Sequence, residues 1–136
     1  MNSTAQDIKD VLVSDGLGTY AAITGWGIYI GKDPDKPDSV ITVFDTGGFE
    51  PDYVFNNAIQ PLEHKTIMIH VRNQDYGAGY TKMQAVIDAL DQRDRWTVGD
   101  VKYHGIFRQG DAAFVGFDDH NRGIWSVNFR VHRSEQ

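Results

Sequence analysis

Residues 69–90, IHVRNQDYGAGYTKMQAVIDAL, change their hydrophobic period partway through. Ile67, Ile69 and Val71 alternate with Met68, His70 and Arg72, the period-two pattern of a half-buried strand. From Tyr76 onward the spacing is different. Tyr76, Tyr80, Met83, Ile87 and Leu90 fall at i, i+4, i+7, i+11 and i+14, one apolar stripe of a helix. Asp75 stands just before the stripe, where a carboxylate can accept from the unpaired amides of the first turn. Between strand and helix lies Gly77-Ala78-Gly79, the position at which an α/β enzyme would cradle a phosphate.

The flanking segments decide between the possible folds. Upstream, Ser3 and Gln6 have capping-box spacing, Ile8, Val11 and Leu12 share a helical face, and Gly16 and Gly18 end that helix. Ile28–Ile30 and Val40–Phe44 read as short strands around a Pro- and Asp-rich turn. Residues 46–64, TGGFEPDYVFNNAIQPLEH, read as a long exposed loop. Its Phe49, Tyr53, Val54 and Phe55 point to a partner-facing role.

Downstream the chain is all β. Val101, Tyr103 and Phe107 alternate, Gln109-Gly110-Asp111 is a turn, and Ala112–Phe117 is a short strand. After the DDHNRG turn, Trp125, Val127, Phe129 and Val131 alternate with Ser126, Asn128, Arg130 and His132. The order is α-β-β-β-α-β-β-β, not the βαβα alternation of a doubly wound sheet. This predicts one α+β domain over residues 1–136, a largely antiparallel or mixed sheet against helices at about 4–16 and 75–91.

Composition narrows the function. A chain of 136 residues with 40% hydrophobic and 24% charged residues fits a single globular domain. No apolar run approaches the roughly 18 residues that span a bilayer, and the N-terminus lacks a secretory pattern, so no membrane partner and an intracellular site of synthesis are expected. With no cysteine, disulfides and thiolate chemistry are excluded. Thirteen basic against nineteen acidic residues give a net charge of −6, the wrong sign for gripping a phosphate backbone.

Three motifs could carry chemistry. A dinucleotide fingerprint would need a third glycine where Lys82 stands, so Gly77 and Gly79 are read as small residues that let the helix start pack closely. Asp45-Thr46-Gly47 follows a hydrophobic strand, as around the catalytic aspartate of retropepsin-like proteases, and Phe114-Val115-Gly116 mimics their second element. Such an enzyme would act as a homodimer. A long helix separates the two motifs, so Asp45, Gly47 and Gly48 are read as a structural turn ending a strand. His64, His70, His104, His120 and His132 form no i, i+3 or i, i+4 pair; His70, His104 and His132 could converge on a metal from strand faces, but solvated or bonded histidines are the simpler reading. No catalytic, cofactor or metal site is expected.

The segments DIKDVLVSDGLG, IYIGKDPDKPDSVITVFDTGG, VRNQDYGAGYTKMQAVIDAL and WSVNFRVHR together resemble the minor capsid or tail terminator proteins of tailed phages of Gram-positive bacteria, from about Asp7 to Arg133. The resemblance implies an α+β virion subunit, assembled in the host cytoplasm, that caps the tail tube as a hexameric ring. It also implies an end to tube polymerisation and a docking surface for the head connector, without catalysis or cofactor. Its partners would be other copies of itself, the major tail tube protein and the head completion protein. Duplex DNA would pass through without specific binding, and the net charge of −6 predicts a lumen that is acidic or neutral. Phe49, Tyr53 and Phe55 are the expected interface anchors, Asp45, Gly47, Gly48 and Asp75 the structural turn and cap. A small protease using Asp45 and a soluble binding module of the same fold are the alternatives.

Overall fold

A computed structural model describes residues 1–53 and 60–135. Helix α1 (Thr4–Ser14) is followed by strands β1 (Thr19–Tyr20), β2 (Gly27–Ile30), β3 (Val40–Asp52) and β4 (Leu62–Asn73). Helix α2 (Tyr76–Leu90) then leads to β5 (Trp96–Val98), β6 (Val101–Arg108), β7 (Ala113–Phe117) and β8 (Gly123–Glu135). The expected succession is present, with β1 and β5 added as short edge strands. All eight strands form one sheet in the order β1-β2-β3-β4-β8-β6-β5, with β7 also on β8. The sheet is mixed: β1, β2 and β3 are mutually parallel, and every other pairing is antiparallel.

Both helices begin where local chemistry dictates. Ser3 and Gln6 form a reciprocal capping box on α1. At its other end Leu17 N donates to Leu12 O (3.1 Å) and Gly16 N to Val13 O (3.1 Å), with Gly16 at φ +78°. These two bonds form a Schellman cap, which needs a left-handed residue at the Gly16 position. Asp75 caps α2 by accepting from Ala78 N at 3.0 Å.

The two helices cover one face of the sheet. Ile8 and Leu12 of α1, and Met83, Val86 and Leu90 of α2, join Ile67, Ile69, Val71, Val127, Phe129 and Val131 in a single buried cluster. The α2 stripe departs from expectation at its start. Tyr76 and Tyr80 stay about half exposed and pack on the flank of Trp125, ring centroids 5.0 and 4.9 Å away. The indole already fills the inward position, so the tyrosines cannot enter. The opening glycines are thereby explained: a Cβ on Gly79 would sit 3.2 Å from the Trp125 ring, tighter than ordinary packing.

Three readings are corrected by strand pairing. The 46–64 segment is not all loop, because β3 runs to Asp52 and β4 begins at Leu62. Two register shifts, at Asp45/Gly48 and Phe49/Asp52, absorb the glycines as bulges. Pro51 is tolerated because β2 pairs β3 only as far as Val43, leaving that edge without a partner strand. In β6 a bulge between Tyr103 and Gly105 inverts the alternation, so Ile106 is buried and Phe107 exposed. The Gln109–Asp111 segment does not reverse the chain. β6 and β7 lie end to end along β8, and Gln109 N donates to Asn128 O at 2.8 Å across the gap.

The core contains charge. Asp7 and Arg133 are almost wholly buried, and the Tyr103 hydroxyl donates to Asp7 while accepting from Arg133 Nη1 at 3.2 Å. Arg133 Nη1 also donates to Asn2 O at 3.0 Å, and its Nε lies 3.3 Å from Glu63. Burial and the bond to Asp7 hold the Tyr103 phenol well above its usual pKa, so it remains a donor. This network ties α1 to β4, β6 and β8. Tyr103→Phe retains the stack on Trp96 and should cost about 1–3 kcal/mol, because a buried carboxylate loses a donor. Arg133→Met should cost more, about 3–5 kcal/mol, by leaving Asp7 without its counter-charge. Urea unfolding of both variants checks the order; a Phe variant as stable as wild type would remove the network's role.

Candidate functional site

Asp45 is occupied structurally. Its Oδ1 accepts from Ala5 N at 3.0 Å, so it serves the N-terminus of α1, where a carboxylate is favoured by the unpaired amides and the helix dipole. Phe114–Gly116 lies in β7, across β4 and β8 from Asp45, so the two protease-like elements are not brought together. The Asp-Thr-Gly-Gly stretch is a bulge within β3, not a turn that ends it. Gly48 has φ +156°, and a Cβ there would lie 2.1 Å from His64 O of the partner strand. Only glycine permits that approach. Asp45→Asn keeps an acceptor and should fold and unfold as wild type within about 1 kcal/mol. Pepstatin-sensitive peptidase activity in the wild type, lost in this variant, would contradict the structural assignment.

The paired ends of β3 and β4, residues 46–52 and 62–65, form an arm beyond the reach of β2. Thr46 and Thr66 hydroxyls bond at 2.8 Å across its base. Phe49 is exposed on one side and has the Arg130 guanidinium 4.2 Å from its ring centre. Tyr53, at 69% exposure, stands at the end of β3 with no aromatic neighbour among the described residues. Phe55 lies outside the described residues. The arm thus leaves two large aromatic side chains, Phe49 and Tyr53, more than half exposed.

The helix-free face of the sheet holds most of the histidines, but His70, His104 and His132 do not converge. His70 Nδ1 bonds Asp33 at 3.0 Å, and His104 Nε2 bonds Ser134 at 2.8 Å. His64 and His132 meet directly, Nδ1 to Nδ1 at 2.7 Å, and Asp52 binds the far nitrogen of His64 at 3.0 Å. Among the described residues no three His, Asp or Glu side chains are grouped so as to hold a metal. Burial would raise the Asp33 pKa, but the His70 bond and the nearby Arg72 charge outweigh it and hold it low. Sequence reasoning missed the clasp around residues 32–38. Arg72 Nη2 donates to Pro37 O at 2.7 Å, while Arg122 donates to Asp35 O and pairs with Asp38 and Asp118 at 3.2 and 2.8 Å. The i, i+4 spacing of Asp118 and Arg122 was the one local signal of it.

Burial first, then the neighbouring His64, lowers the His132 pKa below 6.5. Between its folded value and 6.5 the unfolded chain binds more protons than the fold, so stability rises with pH there. The contribution is present above about pH 6.5 and is lost as pH falls toward the folded value. His132→Gln should flatten the slope of the urea midpoint as pH falls below about 6.5; an unchanged slope would place the titration elsewhere.

Residues 11–135 match the family model described as bacteriophage tail terminator protein. A comparison with curated proteins finds no match. Among solved structures, a chain from the virion of a native gene transfer agent particle superposes with a TM-score of 0.67. Its identity is 15%, and the match covers 98% of this chain and 99% of that one, a likeness of fold.

Proposed function

This chain belongs to the bacteriophage tail terminator family, a structural component of the virion tail, and on that premise we propose that it caps the tail tube as a closed ring, most simply a hexamer. The ring ends polymerisation of the major tail tube protein and presents the surface on which the head completion or connector protein docks. The observation that carries this reading is a family match spanning residues 11–135, nearly the whole chain. Two features support it. Asp45, the best catalytic candidate, is engaged by the α1 amide, and the arm leaves Phe49 and Tyr53 more than half exposed. Subunit contacts in such a ring are heterologous, since head-to-tail contacts either close by rotation or run on as filaments.

Duplex DNA passes through the ring without specific binding. The net charge of −6 per chain gives the long-range field the wrong sign for retention. The arm contributes to the assembly contacts through Phe49, Tyr53 and Phe55.

Tube length is the direct readout. Purified tail tube protein should polymerise to uncontrolled lengths alone and stop growing when this chain is added. Replacing Phe49, Tyr53 and Phe55 together with Ser should abolish capping and ring formation while leaving the circular dichroism of the chain unchanged. Tubes that ignore the wild-type chain would overturn the terminator role; a triple variant that caps normally would remove the arm from it.

A further inference from the structure

We propose that neighbouring copies of this chain join edge to edge, β7 of one meeting β1 of the next, so that the sheet continues across the subunit boundary. The inference rests on the ring reading above and supplies its contact surface.

The two strands that lie end to end along β8 are treated differently by the chain. At the β6 end almost every outward group is covered. β5 pairs with residues 101–103, Gln92 N donates to Ile106 O at 2.9 Å, and Ile106 N donates to Arg93 O at 3.0 Å. Arg108 N is met by the Asp91 carboxylate at 2.9 Å. Blunting of this kind is how proteins keep a strand edge from recruiting another strand. β7 continues the same line along β8 but lacks that cover. Among the described residues, the backbone of Ala113–Phe117 has partners only on β8. At the opposite end of the sheet, among the described residues, β1 pairs with no strand but β2, and its Thr19 also donates from N to Trp26 O and accepts at O from Ala22 N.

Exposed apolar side chains mark both of these edges. Val115 and Phe117 are more than half exposed on β7, and Tyr20 and Ile23 likewise on and just after β1. Tyr76 and Tyr80 extend the β7 patch over Trp125. The charges beside them differ in sign: Lys82 lies over Trp26 next to β1 and β2, and Asp119 is exposed beside β7.

Strand direction allows the match. β1 runs parallel to β2, and β2 to β3. β3 and β8 are each antiparallel to β4, so they share a direction, and β7 is antiparallel to β8. Hence β1 and β7 run oppositely. A neighbour related by rotation about an axis along the strands would bring its β1 antiparallel to β7, the arrangement common between neighbouring strands. Two different edges meet, so the contact is heterologous and can close a ring.

The absence of native cysteine makes the test direct. Tyr20→Cys combined in turn with Cys at Ala113, Val115 or Phe117 is oxidised after assembly with tail tube protein. At least one double variant should give a ladder of cross-linked species up to the full ring, while each single variant stays monomeric on a denaturing gel. Dimers from a single variant would show like meeting like and overturn the proposal. A ring of normal mass with no ladder in any pairing would also overturn it, and would leave the ring reading standing. No ring from wild type with tube protein would remove both. As a second arm, Val115→Lys with Phe117→Lys changes only exposed side chains. It should keep the wild-type circular dichroism and lose the ring, and a retained ring would refute the edge contact.

Discussion

The pairing of β4 with β8 runs without a break from Glu63 opposite Arg133 to Asn73 opposite Gly123. Every inward residue of the central sheet depends on that register. Ile67, Ile69 and Val71 stand opposite Phe129, Val127 and Trp125 on the helix side, while His64, Thr66 and Met68 stand opposite His132, Arg130 and Asn128 on the other. Because side chains alternate strictly, a slip of one residue would drive the apolar set into water and the histidines and Arg130 under the helices. The energetic penalty of that exchange, at roughly 25 cal/mol for each Å² of apolar surface, makes the register unambiguous.

Buried charge then adds a requirement that apolar packing alone does not impose. Asp7 and Arg133 come from near the two ends of the chain and are bridged by Tyr103. A misregistered β8 would leave Asp7 in the core without a counter-charge, a costlier error than a misplaced leucine. At the other end of β4 and β8, Arg72 and Arg122 gather backbone carbonyls and carboxylates of residues 35–38 into a fixed connection. Burial and the nearby Arg122 charge lower the Arg72 pKa from its usual high value, and the carboxylates of Asp33, Asp118 and Asp38 oppose that effect. The sheet is thus held at both ends by ionic contacts and in its middle by the core.

What projects from this frame is suited to assembly. The β3–β4 arm reaches past β2, bulged at Gly47 and Gly48, with Phe49 and Tyr53 more than half exposed. The chain blunts the edge of β6 and leaves that of β7 open, an asymmetry that a subunit with a neighbour can use. A rigid sheet with an arm and an open edge at its margins offers a structural component of the virion tail surfaces for the contacts proposed above.

The sequence by itself determined whatever is local. The capping box at Ser3 and Gln6, the Asp75 cap, and the alternation in β4 and β8 were legible because the partners lie within a turn or repeat with the pleat. The α+β class followed from the order of those elements. Tertiary structure alone decided the rest, since the relevant partner is remote. The Asp-Thr-Gly-Gly stretch reads as a turn until β4 pairs with both sides of it, and Phe107 reads as core until a bulge opposite His132 inverts its face. Gln109–Asp111 reads as a turn until β6 and β7 both align on β8. No local pattern announces that Asp7 will meet Arg133, because an ion pair across the whole chain exists only once the sheet between them has formed.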